Sequence, residues 1–174
     1  MDLKSGYRQA MEALYLACIV VSGVALIVIT LIIPLGVFMR YVVNSPLSWP
    51  EPAAVLMMVM FSFLGGAAVY RAHVHIAVEA LVKAVDPKTR RIFLGAADAC
   101  MVVICLFMVG YGAQLCRALW HQSIAEFPGL SVGLTYLPIP LGGLFTLLFI
   151  VERLWIGAPP PTSVMFRDQP SAAE

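Results

Sequence analysis

The segment from Ala13 to Met39 runs for 27 residues without a charged side chain. A helix of about 20 apolar residues is enough to cross the hydrocarbon core of a bilayer. The apolar region of a secretory signal peptide is shorter, about 7–15 residues. We therefore interpret this run, which Lys4 and Arg8 precede, as a retained first transmembrane helix.

Three further apolar segments follow, and each is long enough to cross a bilayer. They are continuously apolar and lack the alternation of barrel strands, so helices are predicted. Only 12% of the residues are charged, whereas a soluble domain has about 25%. The sequence thus predicts an all-α integral membrane protein, with a four-helix membrane domain over residues 1–156. Its spans are predicted at about 13–40, 52–71, 88–116 and 130–153.

The positive charges are concentrated in alternate connections. Nine of the eleven Lys and Arg residues lie at the amino-terminal end, in segment 71–91 or at the carboxy-terminal end. Positive residues accumulate on the cytoplasmic side of a membrane. Both termini are therefore predicted to be cytoplasmic, while connections 40–52 and 117–131 face outside. The proline-rich tail, residues 157–174, is predicted to be disordered.

The inner connection is predicted to contain a short amphipathic helix, because apolar residues between 74 and 85 recur on one helical face. At about ten residues it is too short to span, so it is expected to lie in the headgroup plane. Asp86 and Pro87 are predicted to begin the third span as cap and first helical residue. Cations in the first turn of that span are predicted to reach anionic lipid headgroups. These cations are Lys88, Arg90 and Arg91.

The first outer connection is predicted to begin the second helix. Ser48 and Glu51 match the capping box S-x-x-E, and Glu51 as the cap, with Pro52 next, is the alternative. Trp49 is expected at the membrane–water boundary. Arg40, at the end of the first span, is interpreted either as an anchor to lipid phosphates or as a partner of Glu51. In the second interpretation, a partly desolvated and bidentate pair orients the Trp49 turn toward a partner protein.

Ionisable groups deep in a membrane are functional candidates. Asp98, in the third span, is interpreted as a carboxylate paired with a basic residue such as Arg71 or Arg91, with proton coupling as the alternative. The three histidines and four cysteines lack the spacing of a metal, haem or redox site. The chain is therefore predicted to be no enzyme and to need no cofactor or metal. Its net charge of +1 argues against nucleic-acid binding.

Small residues recur within the second, third and fourth spans. In lipid they allow helix backbones to approach closely. The close contact is predicted either among the four helices or with a larger membrane partner. The positions singled out for this role are Gly65 and Gly66 in the second span and Gly142 and Gly143 in the fourth.

Four stretches follow one another in the order "VFMRYVVNSPLSWPEP", "FSFLGGAAVYRAHVHIAVEALV", "DPKTRR" and "GLSVGLTYLPIPLGGL". In this order and spacing, over roughly residues 13–155, they resemble the small membrane subunit of tripartite ATP-independent periplasmic (TRAP) transporters. This subunit is the DctQ-type small permease. The family's tryptophan followed closely by acids is matched by Trp49 and Glu51, while Pro52 stands where the family usually has a second acid.

The resemblance implies an accessory subunit in the inner membrane of a bacterium. A large permease subunit would carry the substrate and sodium sites. A periplasmic binding protein would deliver an organic acid, such as a C4-dicarboxylate or a sugar acid. The small subunit would brace the large one and contact the binding protein transiently.

Two alternatives come from other classes of protein. A free-standing four-helix proton-coupled exporter needs an acid well inside its first span, whereas Glu12 precedes the uncharged run. A small lipid-modifying enzyme needs clustered polar residues at one membrane interface.

Overall fold

The computed structural model describes residues 3–72 and 87–157, and most of them are helical. In chain order the elements are α1 (Leu3–Tyr41), α2 (Pro50–Arg71), α3 (Pro87–Ala118), β1 (Ser123–Ile124), β2 (Phe127–Ser131), α4 (Val132–Tyr136) and α5 (Pro138–Trp155).

In the described ranges, four helical segments are long and apolar enough to cross a membrane. They are Ser5–Tyr41, Pro50–Arg71, Gly95–Ala118 and Val132–Trp155. The predicted class, an all-α membrane protein with four spanning helices, is confirmed. The amphipathic helix predicted between residues 74 and 85, the Asp86 cap and the tail from residue 158 lie outside the described residues.

Helix α1 begins at Leu3, well before the predicted start of the first span. Its 39 residues measure about 58 Å at 1.5 Å per residue. The hydrocarbon core of a bilayer is only about 30 Å thick. Helix α1 is therefore long enough to extend beyond the hydrocarbon, and Glu12 lies inside the helix.

Helix α2 begins at Pro50, with Trp49 as the N-cap residue and no side-chain hydrogen bond to the cap. The predicted capping box of Ser48 and Glu51 is therefore wrong, and so is the alternative with Glu51 as the cap. A proline at the first helical position has its φ already set for the helix and has no N–H to be capped. Before this start, Asn44 has a φ of 54°, a left-handed conformation that asparagine adopts more readily than most residues.

The four long helices pack side by side in the order α1–α2–α5–α3. Helix α5, the last in sequence, thus lies between α2 and α3, and it also touches α1. A core of buried side chains forms on the side of the helix row where α1 begins and where α2 and α5 end. This core contains Met11, Tyr15, Cys18, Ala67, Ala68, Tyr70, Cys105, Phe149 and Ile150.

Two adjacent glycines allow α5 to approach its neighbours on both sides. A Cβ atom on Gly142 would lie 2.7 Å from the Phe63 carbonyl oxygen of α2. A Cβ atom on Gly143 would lie 3.0 Å from Met108 Cβ of α3. Gly65 faces Ser22 of α1 in the same way, at 3.3 Å. These three glycines therefore serve packing within the chain.

Gly66 differs from the other three glycines. It is exposed, and no atom lies within 4 Å of the position that its Cβ would take. Of the four glycines singled out from the sequence, Gly66 lies on the outer surface of the helix row.

A short hairpin, which was not predicted from the sequence, connects α3 to α4. Strands β1 and β2 pair antiparallel, with Ser123 opposite Ser131 and Ile124 opposite Phe127. Ser131 then caps α4, because its Oγ accepts a hydrogen bond from the Gly133 amide at 3.0 Å. The hairpin is thus followed directly by α4, and α4 is followed by α5.

Candidate functional site

A buried ion pair joins the ends of α2 and α5. Arg71 Nε donates to Glu152 Oε2 at 2.8 Å, and Arg71 Nη2 donates to Glu152 Oε1 at 2.8 Å. The two side chains are only 3% and 4% exposed. The arrangement is a bidentate arginine–carboxylate pair, in which both groups are charged and the geometry is specific.

Aromatic rings surround the guanidinium group of Arg71. Its Cζ lies 5.3 Å from the centre of the Tyr15 ring and 5.5 Å from the centre of the Phe149 ring. At these distances the faces of aromatic rings attract a cation. Because Tyr15 belongs to α1 and Phe149 to α5, the Arg71 side chain holds three helices together.

A second ion pair lies on the opposite side of α5. Arg153 Nη1 donates to Asp98 Oδ1 at 3.0 Å, and the side chains are 29% and 21% exposed. Asp98 was predicted to pair with a basic residue such as Arg71 or Arg91; the pairing with a basic residue is confirmed, but the partner that the structure shows is Arg153. The reason is the helix order: α5 is the neighbour of α3, and Arg71 is engaged with Glu152 between α2 and α5.

Helix α5 also contacts α1 near the same end. The hydroxyl group of Tyr7 donates to the Leu148 carbonyl oxygen at 3.1 Å. The Tyr7 ring meets the Trp155 ring edge to face, with 6.0 Å between the ring centres. The last two turns of α5 are thus joined to each of the other three long helices.

We refer to Arg71, Glu152, Asp98 and Arg153 as the ion-pair cluster. Neighbouring positions on α5 carry opposite charges, with Glu152 toward α2 and Arg153 toward α3. If α2 and α3 exchanged places, Arg71 would face Arg153 and Asp98 would face Glu152. Like charges would then lie together, so the cluster favours the observed order of helices over the exchanged one.

The predicted outer pair lies at the opposite end of α1 and α2. Arg40 Nη2 is 3.3 Å from Glu51 Oε1, and the side chains are 52% and 77% exposed. The predicted pairing of Arg40 with Glu51 is therefore present, as a single N–O contact and not as a bidentate one. Trp49, between them in sequence, is half-buried. That these residues meet a partner protein stays a prediction.

The predicted lipid-headgroup cations Lys88, Arg90 and Arg91 belong to the first turns of α3, and their side chains lie outside the described part. Within the described ranges, no three His, Cys, Asp or Glu residues are grouped so that they could hold a metal ion. The four charged residues of the ion-pair cluster instead pair α2 and α3 with α5.

The pair of Arg71 and Glu152 was not predicted from the sequence. Each is the first charged residue after an apolar run, so a search for charges deep within a span assigns both residues to the membrane surface. The sequence does contain a signal for this pair. The two residues have opposite charges and lie at the ends of two spans that are predicted to face the same side of the membrane, and such charges can meet if the two spans are neighbours.

Comparisons with known proteins agree with the membrane architecture. The model of the family described as tripartite ATP-independent periplasmic transporters, DctQ component, matches residues 29–158. A protein of Haemophilus influenzae, named as a TRAP transporter small permease protein, is 27% identical over 143 residues. That alignment covers 82% of this chain and 86% of the relative.

Proposed function

The chain belongs to the family of DctQ components of TRAP transporters, and we propose that it is the accessory, scaffolding subunit of a sodium-coupled importer of organic acids. As a TRAP small permease it is a membrane protein with four apolar helices of spanning length in its described part. A transporter subunit of this kind belongs to no enzyme class.

In the proposed assembly, a large permease subunit carries the substrate and the sodium ions. A periplasmic binding protein delivers the organic acid, of the C4-dicarboxylate or sugar-acid type, and contacts the membrane subunits transiently. The assembly lies in the inner membrane of a bacterium, with both termini of this chain in the cytoplasm. The distribution of Lys and Arg along the sequence supports this orientation.

The observation that carries the proposal is the ion-pair cluster. A subunit that itself carries substrate needs a binding site near the middle of the membrane, with groups available to the substrate. Here the buried carboxylate of Glu152 is occupied by Arg71 through two hydrogen bonds of 2.8 Å. Asp98 is occupied by Arg153. Charges that are used in this way hold helices in place, as a brace requires.

The turn between α1 and α2 is the proposed contact with a partner protein. Arg40 and Glu51 span the turn with an N–O contact of 3.3 Å, and Trp49 lies at the start of α2. In the proposed orientation this turn faces the periplasm. It is therefore available to the large subunit or to the binding protein.

The proposal is tested by reconstituting the large subunit into liposomes with and without this chain, at equal amounts of the large subunit. Uptake of a labelled organic acid is measured with its binding protein and an inward sodium gradient. We expect uptake only when the chain, the binding protein and the gradient are all present. Equal uptake without the chain, or uptake by the chain alone, would contradict the proposal.

A further inference from the structure

A groove of about 440 Å³ lies between the end of α1 and the start of α2. The ion-pair cluster lies at the opposite ends of the helices. Its wall is mostly apolar, and two charged side chains, Arg40 and Glu51, also line it. We refer to it as the outer groove. The apolar lining includes Ile33, Val37, Leu47, Pro50, Ala54 and Val55.

The position of the outer groove follows from the way in which α1 and α2 meet. The helices come close where a Cβ atom on Gly36 would lie 3.2 Å from Pro50 Cβ. Both helices are of membrane-spanning length, α1 ending at Tyr41 and α2 starting at Pro50. In the orientation proposed above, the groove lies near a membrane boundary, with its apolar wall in the spans and its charges at their ends.

The two charged groups retain free hydrogen-bonding capacity. A guanidinium group has five N–H donors, and a carboxylate has about four acceptor sites. The contact between Arg40 and Glu51 is a single one of 3.3 Å, and the side chains are 52% and 77% exposed. A positive and a negative group thus lie side by side at the groove, each able to bind a further group.

We propose that the outer groove is a binding site for a phospholipid whose headgroup carries a primary ammonium, as in phosphatidylethanolamine. One acyl chain lies along the apolar wall. The phosphate accepts hydrogen bonds from Arg40, and the ammonium donates to Glu51.

The charges select this headgroup over others. Its phosphate and its ammonium are separated by two carbons, so both reach a neighbouring cation and anion. An anionic headgroup without an amine satisfies Arg40 but places its negative charge beside Glu51, which is unfavourable. A quaternary amine carries the positive charge but has no N–H to donate to the carboxylate.

The test is native mass spectrometry of the purified full chain, given equal amounts of phosphatidylethanolamine, phosphatidylcholine and phosphatidylglycerol with the same acyl chains. We expect phosphatidylethanolamine to be retained about threefold to tenfold more than phosphatidylglycerol, as one hydrogen bond of ordinary strength at a solvent-exposed carboxylate allows. Phosphatidylcholine is expected to fall between them.

Variants test the contacts to the lipid headgroup and the apolar wall of the groove separately. Glu51→Gln is expected to remove the preference for phosphatidylethanolamine, and Arg40→Gln to reduce the retention of all three lipids. Ala54→Phe fills the groove and is expected to lower all retention without changing the ratio. Val37→Phe fills it from α1 if Ala54→Phe does not fold. The matched control is Ala99→Phe on the exposed surface of α3, which should leave retention unchanged.

Equal retention of the three lipids by the unmodified chain would overturn the proposal, as would normal retention in both groove-filling variants. A photo-crosslinker at position 54, in the complex with the large subunit, decides between occupants. Attachment to lipid supports the proposal. Attachment to the large subunit contradicts it and supports instead the partner contact that is proposed above for the same turn.

Discussion

Removing one partner of the buried Arg71–Glu152 pair should destabilise the chain more than removing both. In Arg71→Met, the Glu152 carboxylate, whose side chain is 4% exposed, loses two charge-assisted hydrogen bonds. Hydrogen bonds to charged groups contribute about 1.5–3 kcal/mol each, and breaking a buried pair from one side costs about 3–5 kcal/mol. The expected loss for Arg71→Met is therefore about 3–5 kcal/mol. For a chain of 150–250 residues this lowers Tm by roughly 10 °C.

The double variant Arg71→Met/Glu152→Leu should recover most of this loss. Replacing a buried ion pair with apolar side chains of similar volume is often neutral or stabilising. Unfolding of each purified variant in detergent would be followed by circular dichroism against temperature and against added SDS. Arg40→Met is the matched control, because it breaks a largely exposed ion pair and should cost less than about 1 kcal/mol.

Two results would refute this reasoning. One is an Arg71→Met variant as stable as the unmodified chain, which would mean that the pair contributes nothing to holding α2 against α5. The other is a double variant less stable than the single one, which would mean that the charges themselves stabilise the fold beyond what apolar packing replaces.

Three further predictions concern the glycines, the topology and the outer pair. Gly142→Ala should lower the free energy of unfolding by about 1–3 kcal/mol in the same assay, because a Cβ would lie 2.7 Å from a carbonyl oxygen of α2. Gly66→Ala, where no atom lies within 4 Å of the added Cβ, should leave the stability unchanged. Equal effects of the two substitutions would contradict this packing. Reporter fusions should show a periplasmic location for residues 45 and 125 and a cytoplasmic location for residues 84 and 170. A reversed pattern would contradict the predicted orientation of the helices in the membrane. Arg40→Glu and Glu51→Arg should each impair transport at equal amounts of complex, and the double exchange should recover part of it; normal transport by both single variants would rule out a role in partner contact.

The number and type of the long helices were predictable from the sequence for a physical reason. A run as long and uncharged as 13–39 can satisfy its backbone polar groups in lipid only as a helix or within a closed barrel. Its continuous apolar character rules out barrel strands. The start of α2 was not predictable from the capping-box pattern, because Pro50 fixes the first helical residue by its own geometry.

The ion-pair cluster could not be predicted from chain order alone. Helix α5 is last in sequence, yet it lies between α2 and α3, and only this placement brings Arg153 to Asp98. The short hairpin of β1 and β2 was missed because its first strand has two residues, too few to show an alternating pattern. The contact between Arg40 and Glu51, which lie on either side of one short turn, was predictable from the sequence, whereas contacts between helices far apart in the chain depend on a helix order that the sequence pattern does not fix.

Co-purification tests the central claim most directly. An affinity-tagged form of this chain, expressed with the large permease subunit, would be solubilised in mild detergent and isolated through its tag. The large subunit is expected to be retained in a fixed ratio through size-exclusion chromatography. An unrelated four-helix membrane protein with the same tag, the control, should not retain it. Isolation of this chain without the large subunit, under conditions in which both are folded in the membrane, would contradict the account.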